Sequence, residues 1–202
     1  MKIYLCAREE DLFKSWMIYC GNFDFVIPTK QSILDVKAKA LVSPANSFGF
    51  MTGGIDLLYK NYFGMEMESD LQHIIKTEFG GELLVGQATW VPIKHSSYTM
   101  KFLISAPTMR VPEVVSHTIN PYLAARAALK LAKKLNIDSI VFPGLGTGTG
   151  LVTAEDCAKQ MRAAIDDVII NERGFPQNLY DEQDHMRQHI VGTSWYNGQM
   201  GR

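Results

Sequence analysis

Residues 40–56 read ALVSPANSFGFMTGGID and contain the strand, loop and helix start that decide the fold. The apolar run Ala40–Ser43 predicts a buried strand, and the segment Asp56–Phe63 predicts a helix. Between them, Gly53 and Gly54 allow the backbone to approach a ligand closely. The backbone N–H groups at the start of the following helix favour an anion, so this loop is a candidate phosphate site.

Residues 142–150, FPGLGTGTG, form a second glycine-rich loop. It lies between a strand predicted at Ser139–Phe142 and a helix predicted from about Thr153 to Ile170. Alternating glycines can form a nest of converging N–H groups around a phosphate. Neither GxxxxGK[ST] nor GxGxxG fits this spacing, because no Lys follows and Thr149 and Leu151 occupy the place of the last Gly.

Each loop alone is more often a tight connection than a ligand site. The pair is more specific, because both loops follow strand C-termini, where open α/β sheets bind ligands. Two anion-binding loops in one crevice suit a diphosphate.

The rest of the chain alternates short apolar runs with amphipathic segments, which predicts a three-layer α/β fold. Thr153, with Asp156 three residues later, resembles a capping box. The further strands are predicted at Ile3–Cys6, Phe23–Ile27, Ala88–Ile93 and Phe102–Ser105. The further helices are predicted at Glu9–Tyr19, Met67–Phe79 and Asn120–Leu135.

The composition is that of one soluble globular domain. The 202 residues are 47% hydrophobic and 20% charged, with a net charge of −1, so there is no basic footprint of a nucleic-acid-binding protein. The three scattered cysteines match no zinc motif and fit a reducing compartment. No signal peptide and no run of the ~20 apolar residues needed for a membrane span is present, so we expect a cytoplasmic protein without metal or cofactor.

The order and spacing of these segments resemble the macrodomain family. The segment 40–47 is similar to the family's strand that ends in an Ala-Asn motif, and 53–56 to its glycine loop. The segments 139–143 and 146–150 are similar to its second phosphate loop. The resemblance implies a single α/β/α domain, 1–202, with a mixed sheet between helices. Its core covers about residues 23–170, and residues 171–202 form a C-terminal extension.

The resemblance also implies a ligand, ADP-ribose, in a cleft over the C-terminal edge of the sheet. The two glycine loops hold the diphosphate, and Asn46 hydrogen-bonds the outer ribose. The residues implied to bind the ligand are Ser32, Ile33, Ala45, Asn46, Gly53, Gly54, Ile55, Gly144, Leu145, Gly146, Thr147, Gly148, Thr149 and Gly150.

A catalytic pair follows from the same resemblance. In the branch that removes mono-ADP-ribose from proteins, an Asp lies ten positions after the Asn, and Asp56 has this spacing from Asn46. A carboxylate near the outer ribose activates water for attack at the anomeric carbon. From the residues alone, Asp56 equally suits a helix cap and Asn46 suits a turn.

We therefore expect a protein that binds ADP-ribose and hydrolyses an ADP-ribose conjugate, in the manner of a mono-ADP-ribosyl hydrolase. Two alternatives remain: a binding module without turnover, and an ADP-ribose-1″-phosphate phosphatase. The partner is ADP-ribose or an ADP-ribosylated substrate, with nucleic acid only as a possible modified substrate and no membrane.

Two positions depart from the family pattern. Ser32 occupies the place of the family's adenine-reading Asp, so either Asp35 substitutes or backbone groups hold the adenine. Thr149 and Gly150 occupy the place of an aromatic residue that packs on the outer ribose.

Overall fold

A single mixed sheet forms the centre of the protein, whose computed structural model describes residues 1–94, 98–170 and 174–191. Its strands are Lys2–Cys6 (β1), Val26–Thr29 (β2), Ala40–Ser43 (β3), Thr89–Pro92 (β4), Phe102–Ser105 (β5) and Ser139–Phe142 (β6). The spatial order is β2-β1-β6-β3-β5-β4. All neighbours are parallel except β4 and β5, which are antiparallel.

Helices cover both faces of the sheet, which confirms the three-layer α/β/α architecture. The helices are Glu10–Cys20 (α1), Gly54–Phe63 (α2), Glu66–Glu78 (α3), Asn120–Lys134 (α4), Ala154–Ile165 (α5) and Leu179–His185 (α6). One core lies between the sheet and α1, α4 and α5, and a second lies between the sheet and α2 and α3.

The strand β3 shows how the sequence separates the two cores. Ala40 and Val42 are fully buried in the first core, and Leu41 is fully buried in the second. Successive side chains of a strand point to opposite faces, so a strand covered on both sides has a continuous apolar sequence.

Most predicted elements are confirmed, and β3, β5 and β6 have their predicted bounds. The segment Phe23–Ile27, however, is only partly a strand. β2 begins at Val26, because the Val26 N–H donates to the Phe23 carbonyl at 3.0 Å and closes a turn. The rings of Phe23 and Phe25 stack at 5.2 Å, and the Arg162 guanidinium lies 4.1 Å from the Phe23 ring centroid. Side-chain packing therefore holds these aromatic residues in a turn.

Both ends of the chain add to the fold. β1 lies between β2 and β6, so the sheet includes strand residues that precede residue 23. In the extension, α6 continues into a π-helical turn at Met186–Val191, which packs on α5. Residues 171–173 and 192–202 of the extension, and residues 95–97 between β4 and β5, lie outside the described residues. Within the described part, no helix is long and apolar enough to span a bilayer.

The helix α5 has the predicted N-terminal cap. The Thr153 hydroxyl oxygen accepts the Asp156 N–H at 3.1 Å, and the hydroxyl donates to the Asp156 carboxylate at 2.8 Å. The carboxylate therefore bonds to the cap hydroxyl, whereas in a full capping box it accepts the cap residue's N–H. The cap satisfies a backbone donor of a helix that packs against α1 and α4.

We expect Thr153→Ala to lower the free energy of unfolding by about 1 kcal/mol, because the Asp156 N–H then has no side-chain acceptor. Thr153→Ser keeps the hydroxyl and serves as the control, with a stability close to that of the wild type. Urea denaturation of the three proteins measures both values, and equal losses for Ala and Ser would contradict a capping role.

Candidate functional site

The parallel strands place a cleft of about 640 Å³ at their common C-terminal edge. The loops after β1, β2, β3, β5 and β6 all contribute to its walls. Ligand sites in proteins usually measure ~300–1,000 Å³, so the cleft has room for a nucleotide-sized molecule. It lies where ligands bind in open α/β sheets.

The structure brings almost all of the predicted site residues together. Asn46, Asp56 and the other predicted residues line the cleft, with the single exception of Leu145. Leu145 is fully buried in the core beneath α1, α4 and α5, so its side chain is a packing residue of the second loop.

Asn46 organises the first loop. Its Oδ1 accepts the N–H groups of Phe48 at 3.1 Å and Phe50 at 3.2 Å, and its Nδ2 donates to the Phe50 carbonyl at 2.8 Å. Asn46 is therefore a turn residue, as its residue type suggests, and it also lines the cleft. One N–H of its side-chain amide is left over for a ligand.

Asp56 does not cap its helix. The cap position of α2 is Gly53, and Asp56 lies three residues further on without a capping hydrogen bond. Its carboxylate accepts a short hydrogen bond from the hydroxyl of Ser43, the last residue of β3. The Asp56 side chain is therefore directed toward the sheet and lines the cleft. This position is compatible with a role in the activation of water.

Burial changes the acid strength of Asp56. The residue is 9% exposed, and burial raises the pKa of the carboxyl from 3.8 to about 6, while the Ser43 hydrogen bond acts in the opposite direction. A carboxylate with this pKa is ionised at neutral pH and is a stronger base than an exposed Asp. Such a group is suited to accept a proton from water.

The second loop is shaped by its glycines. Gly146 has a φ of +72°, which favours glycine, and a Cβ on Gly150 would lie 2.5 Å from the Gly146 carbonyl oxygen. Gly148 is different, because a Cβ built there meets no protein atom within 4 Å, and Gly148 lines the cleft. Gly146 and Gly150 therefore allow the turn to close tightly, and Gly148 leaves open space on the side of the turn that faces the cleft.

Both loops present free backbone donors. Within the described part of the chain, no acceptor pairs with the N–H groups of Gly53 and Gly54 at the start of α2, or of Thr147, Gly148 and Thr149. These residues are exposed or half-buried at the cleft, and N–H groups that converge in a turn of this kind can bind water or an anion. This part of the cleft therefore offers hydrogen-bond donors to an anionic group.

The far end of the cleft contains residues that the sequence analysis missed. Beside the predicted Ser32 and Ile33, the cleft is lined by Cys6, Arg8, Glu9 and Leu12 from β1 and the start of α1, and by Gln31. The residues of β1 and α1 precede the glycine loops by more than 30 positions and have no glycine signature. The position of β1 between β2 and β6 in the sheet brings them, and Gln31 after β2, to the cleft.

Cys6 is not a nucleophile in this arrangement. Burial raises the pKa of its thiol to about 11, and the thiol donates to the Gln31 carbonyl at 2.7 Å. The thiol is therefore neutral near pH 7 and joins β1 to the loop after β2. Among the described residues, no group of three His, Cys, Asp or Glu side chains is placed to hold a metal ion.

Comparison with known proteins identifies this architecture. The Macro domain family profile matches residues 42–161, which is more than half of the chain. A relative, an uncharacterized protein of Aquifex aeolicus (strain VF5), is 35% identical over 132 residues, which are 65% of this chain and 75% of the relative.

Solved structures have the same fold. The macrodomain of Mycobacterium tuberculosis DarG is 25% identical, with a TM-score of 0.60 over 69% of this chain and 88% of that one. Thermosipho africanus DarTG in complex with ADP-ribose is 17% identical, with a TM-score of 0.57 over 87% of this chain and 55% of that one. Together with the family match, these similarities show that the chain belongs to the Macro domain family.

Proposed function

We propose that the protein binds ADP-ribose in the cleft and hydrolyses the bond between its outer ribose and an attached group. The observation that carries the proposal is the set of free N–H groups, contributed by the two glycine loops to one 640 Å³ cleft. Because these donors come from the backbone, they bind a diphosphate without a basic patch. The fold of a protein in complex with ADP-ribose, Thermosipho africanus DarTG, supports the same choice of ligand.

The strand order gives the direction of the ligand. Along the edge of the sheet, the loop after β2 is at one end, the loops after β6 and β3 are in the middle, and the loop after β5 is at the other end. At the β2 end, buried Ile33 and Leu12 offer an apolar surface for a flat base. The diphosphate then lies in the middle, and the outer ribose lies near Asn46.

In this arrangement Asp56 is the general base. A water molecule attacks the anomeric carbon of the outer ribose, and the bond from that carbon to the attached group breaks. The proton of the water passes to the Asp56 carboxylate. Asp56 then returns this proton, directly or through solvent, to the departing group, and the base is regenerated. The free N–H of Asn46 holds a ribose hydroxyl, and the loop amides hold the diphosphate through the reaction.

Binding without turnover is a second candidate, and one observation favours it. The side-chain oxygen of Asn46 is already engaged with two N–H groups of its own loop, so only one donor is left for the ribose. Incubation with mono-ADP-ribosylated protein and with ADP-ribose-1″-phosphate separates a hydrolase, a phosphatase and a binding module. Release of ADP-ribose from neither substrate, with calorimetric binding of ADP-ribose retained, supports the binding module.

Gly148→Val is expected to weaken ADP-ribose binding at least about a hundredfold, because the new side chain fills the space beside the free amides. The fold tolerates the change, since a Cβ at Gly148 meets no protein atom within 4 Å. Gly174→Val, equally free of contacts and outside this cleft, is the matched control. Calorimetry measures the affinities, and unchanged binding by Gly148→Val would place the diphosphate elsewhere.

Asp56→Asn is expected to reduce hydrolysis at least about a hundredfold while ADP-ribose binding stays within a few fold of the wild type. The wild-type rate should rise with pH and level off above about 6, because the base must be ionised to accept a proton. Rate measurements from pH 4.5 to 8 check both points. A wild-type activity that persists in Asp56→Asn would show that another group activates the water.

The same carboxyl makes stability depend on pH. Its pKa is raised in the folded state, so the folded protein binds this proton more tightly than the unfolded chain does. The contribution to stability is fully present below about pH 4 and is lost as pH rises through about 6. We expect Asp56→Asn to be more stable than the wild type at pH 7, by up to about 3 kcal/mol, with the difference vanishing near pH 4. Denaturant titrations at the two pH values measure this difference, and a pH-independent difference would contradict the raised pKa.

A further inference from the structure

An ion pair lies beneath the first glycine loop and is not explained by the reaction. Lys60 of α2 is 8% exposed, and its Nζ lies 2.8 Å from Oε2 of Glu68 on α3. Ion pairs this far from solvent are weak contributors to stability, because desolvation of the two charges offsets their attraction. The contacts of Glu68 indicate a different role.

Glu68 also contacts the loop itself. Its second oxygen, Oε1, accepts the backbone N–H of Met51 at 2.7 Å. The hydrogen bond from Lys60 and the one from Met51 hold the pKa of the Glu68 carboxyl below its usual range. The acceptor is therefore charged throughout the neutral range, and charge-assisted hydrogen bonds are the stronger ones.

The Met51 contact has a particular place in the loop. Asn46 holds the N–H groups of Phe48 and Phe50, and Glu68 holds the next N–H along the chain. Within the described part of the chain, the N–H groups of the next residues up to α2, Thr52 and Gly53, donate to no protein acceptor. Met51 is therefore the last anchored donor before the glycines that face the cleft.

The glycines after Met51 are held on their α2 side, where the Gly53 carbonyl accepts the Leu57 N–H at 3.2 Å. Side-chain packing adds nothing, because a Cβ on Gly53 or Gly54 would meet no protein atom within 4 Å, and Gly54 has a φ of +55°. Glycine loses more conformational freedom on ordering than any other residue, so without the Met51 contact part of this ordering would occur only on ligand binding. A loop that is ordered before the ligand arrives binds it more tightly, because no further conformational entropy is lost on binding.

We propose that Glu68 is a positioning residue that fixes the first glycine loop for the diphosphate through the Met51 N–H. The proposal rests on the proposed function for its effect on affinity, but its effect on the loop is independent of any ligand. Glu68 does not line the cleft, so it acts through the loop.

Two double variants isolate the acceptor from the ion pair. Both contain Lys60→Met, which removes the cation, and they differ only at Glu68. Glu68→Gln keeps an oxygen for the Met51 N–H, whereas Glu68→Leu has a similar size and no acceptor. Loss of the ion pair is common to both, so a difference between them reports the Met51 contact.

The test measures NMR-detected hydrogen exchange of the Met51 amide and calorimetric affinity for ADP-ribose. We expect the Gln variant to stay within about threefold of the wild type in both. The Leu variant should exchange the Met51 amide at least about tenfold faster and bind ADP-ribose about tenfold more weakly. If the Leu variant does not fold, Lys60→Met with Glu68→Ala replaces it with the same expected results.

Lys94→Met with Asp70→Leu is the matched control. It removes an ion pair between Asp70, which lies on α3 two residues from Glu68, and Lys94, which follows β4. Its exchange and affinity should equal those of the wild type.

Equal exchange in the Gln and Leu variants would overturn the proposal. If the wild-type protein binds no ADP-ribose, the proposed function fails, and the exchange rates still decide whether Glu68 holds the loop.

Discussion

The parallel direction of five strands sets where the cleft forms. Parallel strands end at the same edge, so the loops after β1, β2, β3, β5 and β6 meet in one place. The strands themselves are apolar on both faces, because helices cover both sides. The polar residues of these loops therefore line one cleft at that edge.

In the proposed function, the cleft holds a diphosphate with backbone donors in its middle. The protein has a net charge of −1, and the donors in the middle of the cleft are backbone N–H groups at the first and second glycine loops. Backbone donors are fixed in direction and need no counterion, so they suit a diphosphate in a protein without a net positive charge.

Burial gives Asp56 its base strength and makes the folded state less stable. The low exposure that raises its pKa to about 6 also makes its charged form unfavourable in the folded protein. The Ser43 hydroxyl and the start of α2 reduce that penalty, the first by a hydrogen bond and the second through the helix dipole. The raised pKa of this carboxyl and its cost in stability therefore have one physical origin.

The amino-acid pattern alone predicts the strand and helix order, the bounds of β3, β5 and β6, and the two glycine loops. These features are local, because they depend on apolar spacing and on residues that permit particular backbone angles. It also placed Asn46 and Asp56 in the first loop through a family resemblance. Only the tertiary structure decided that Asp56 faces Ser43, that Leu145 is a core residue, and that Glu68 reaches Met51. The residues of β1 and α1 at the far end of the cleft also depend on strand order, since residues distant in sequence meet only when the sheet forms.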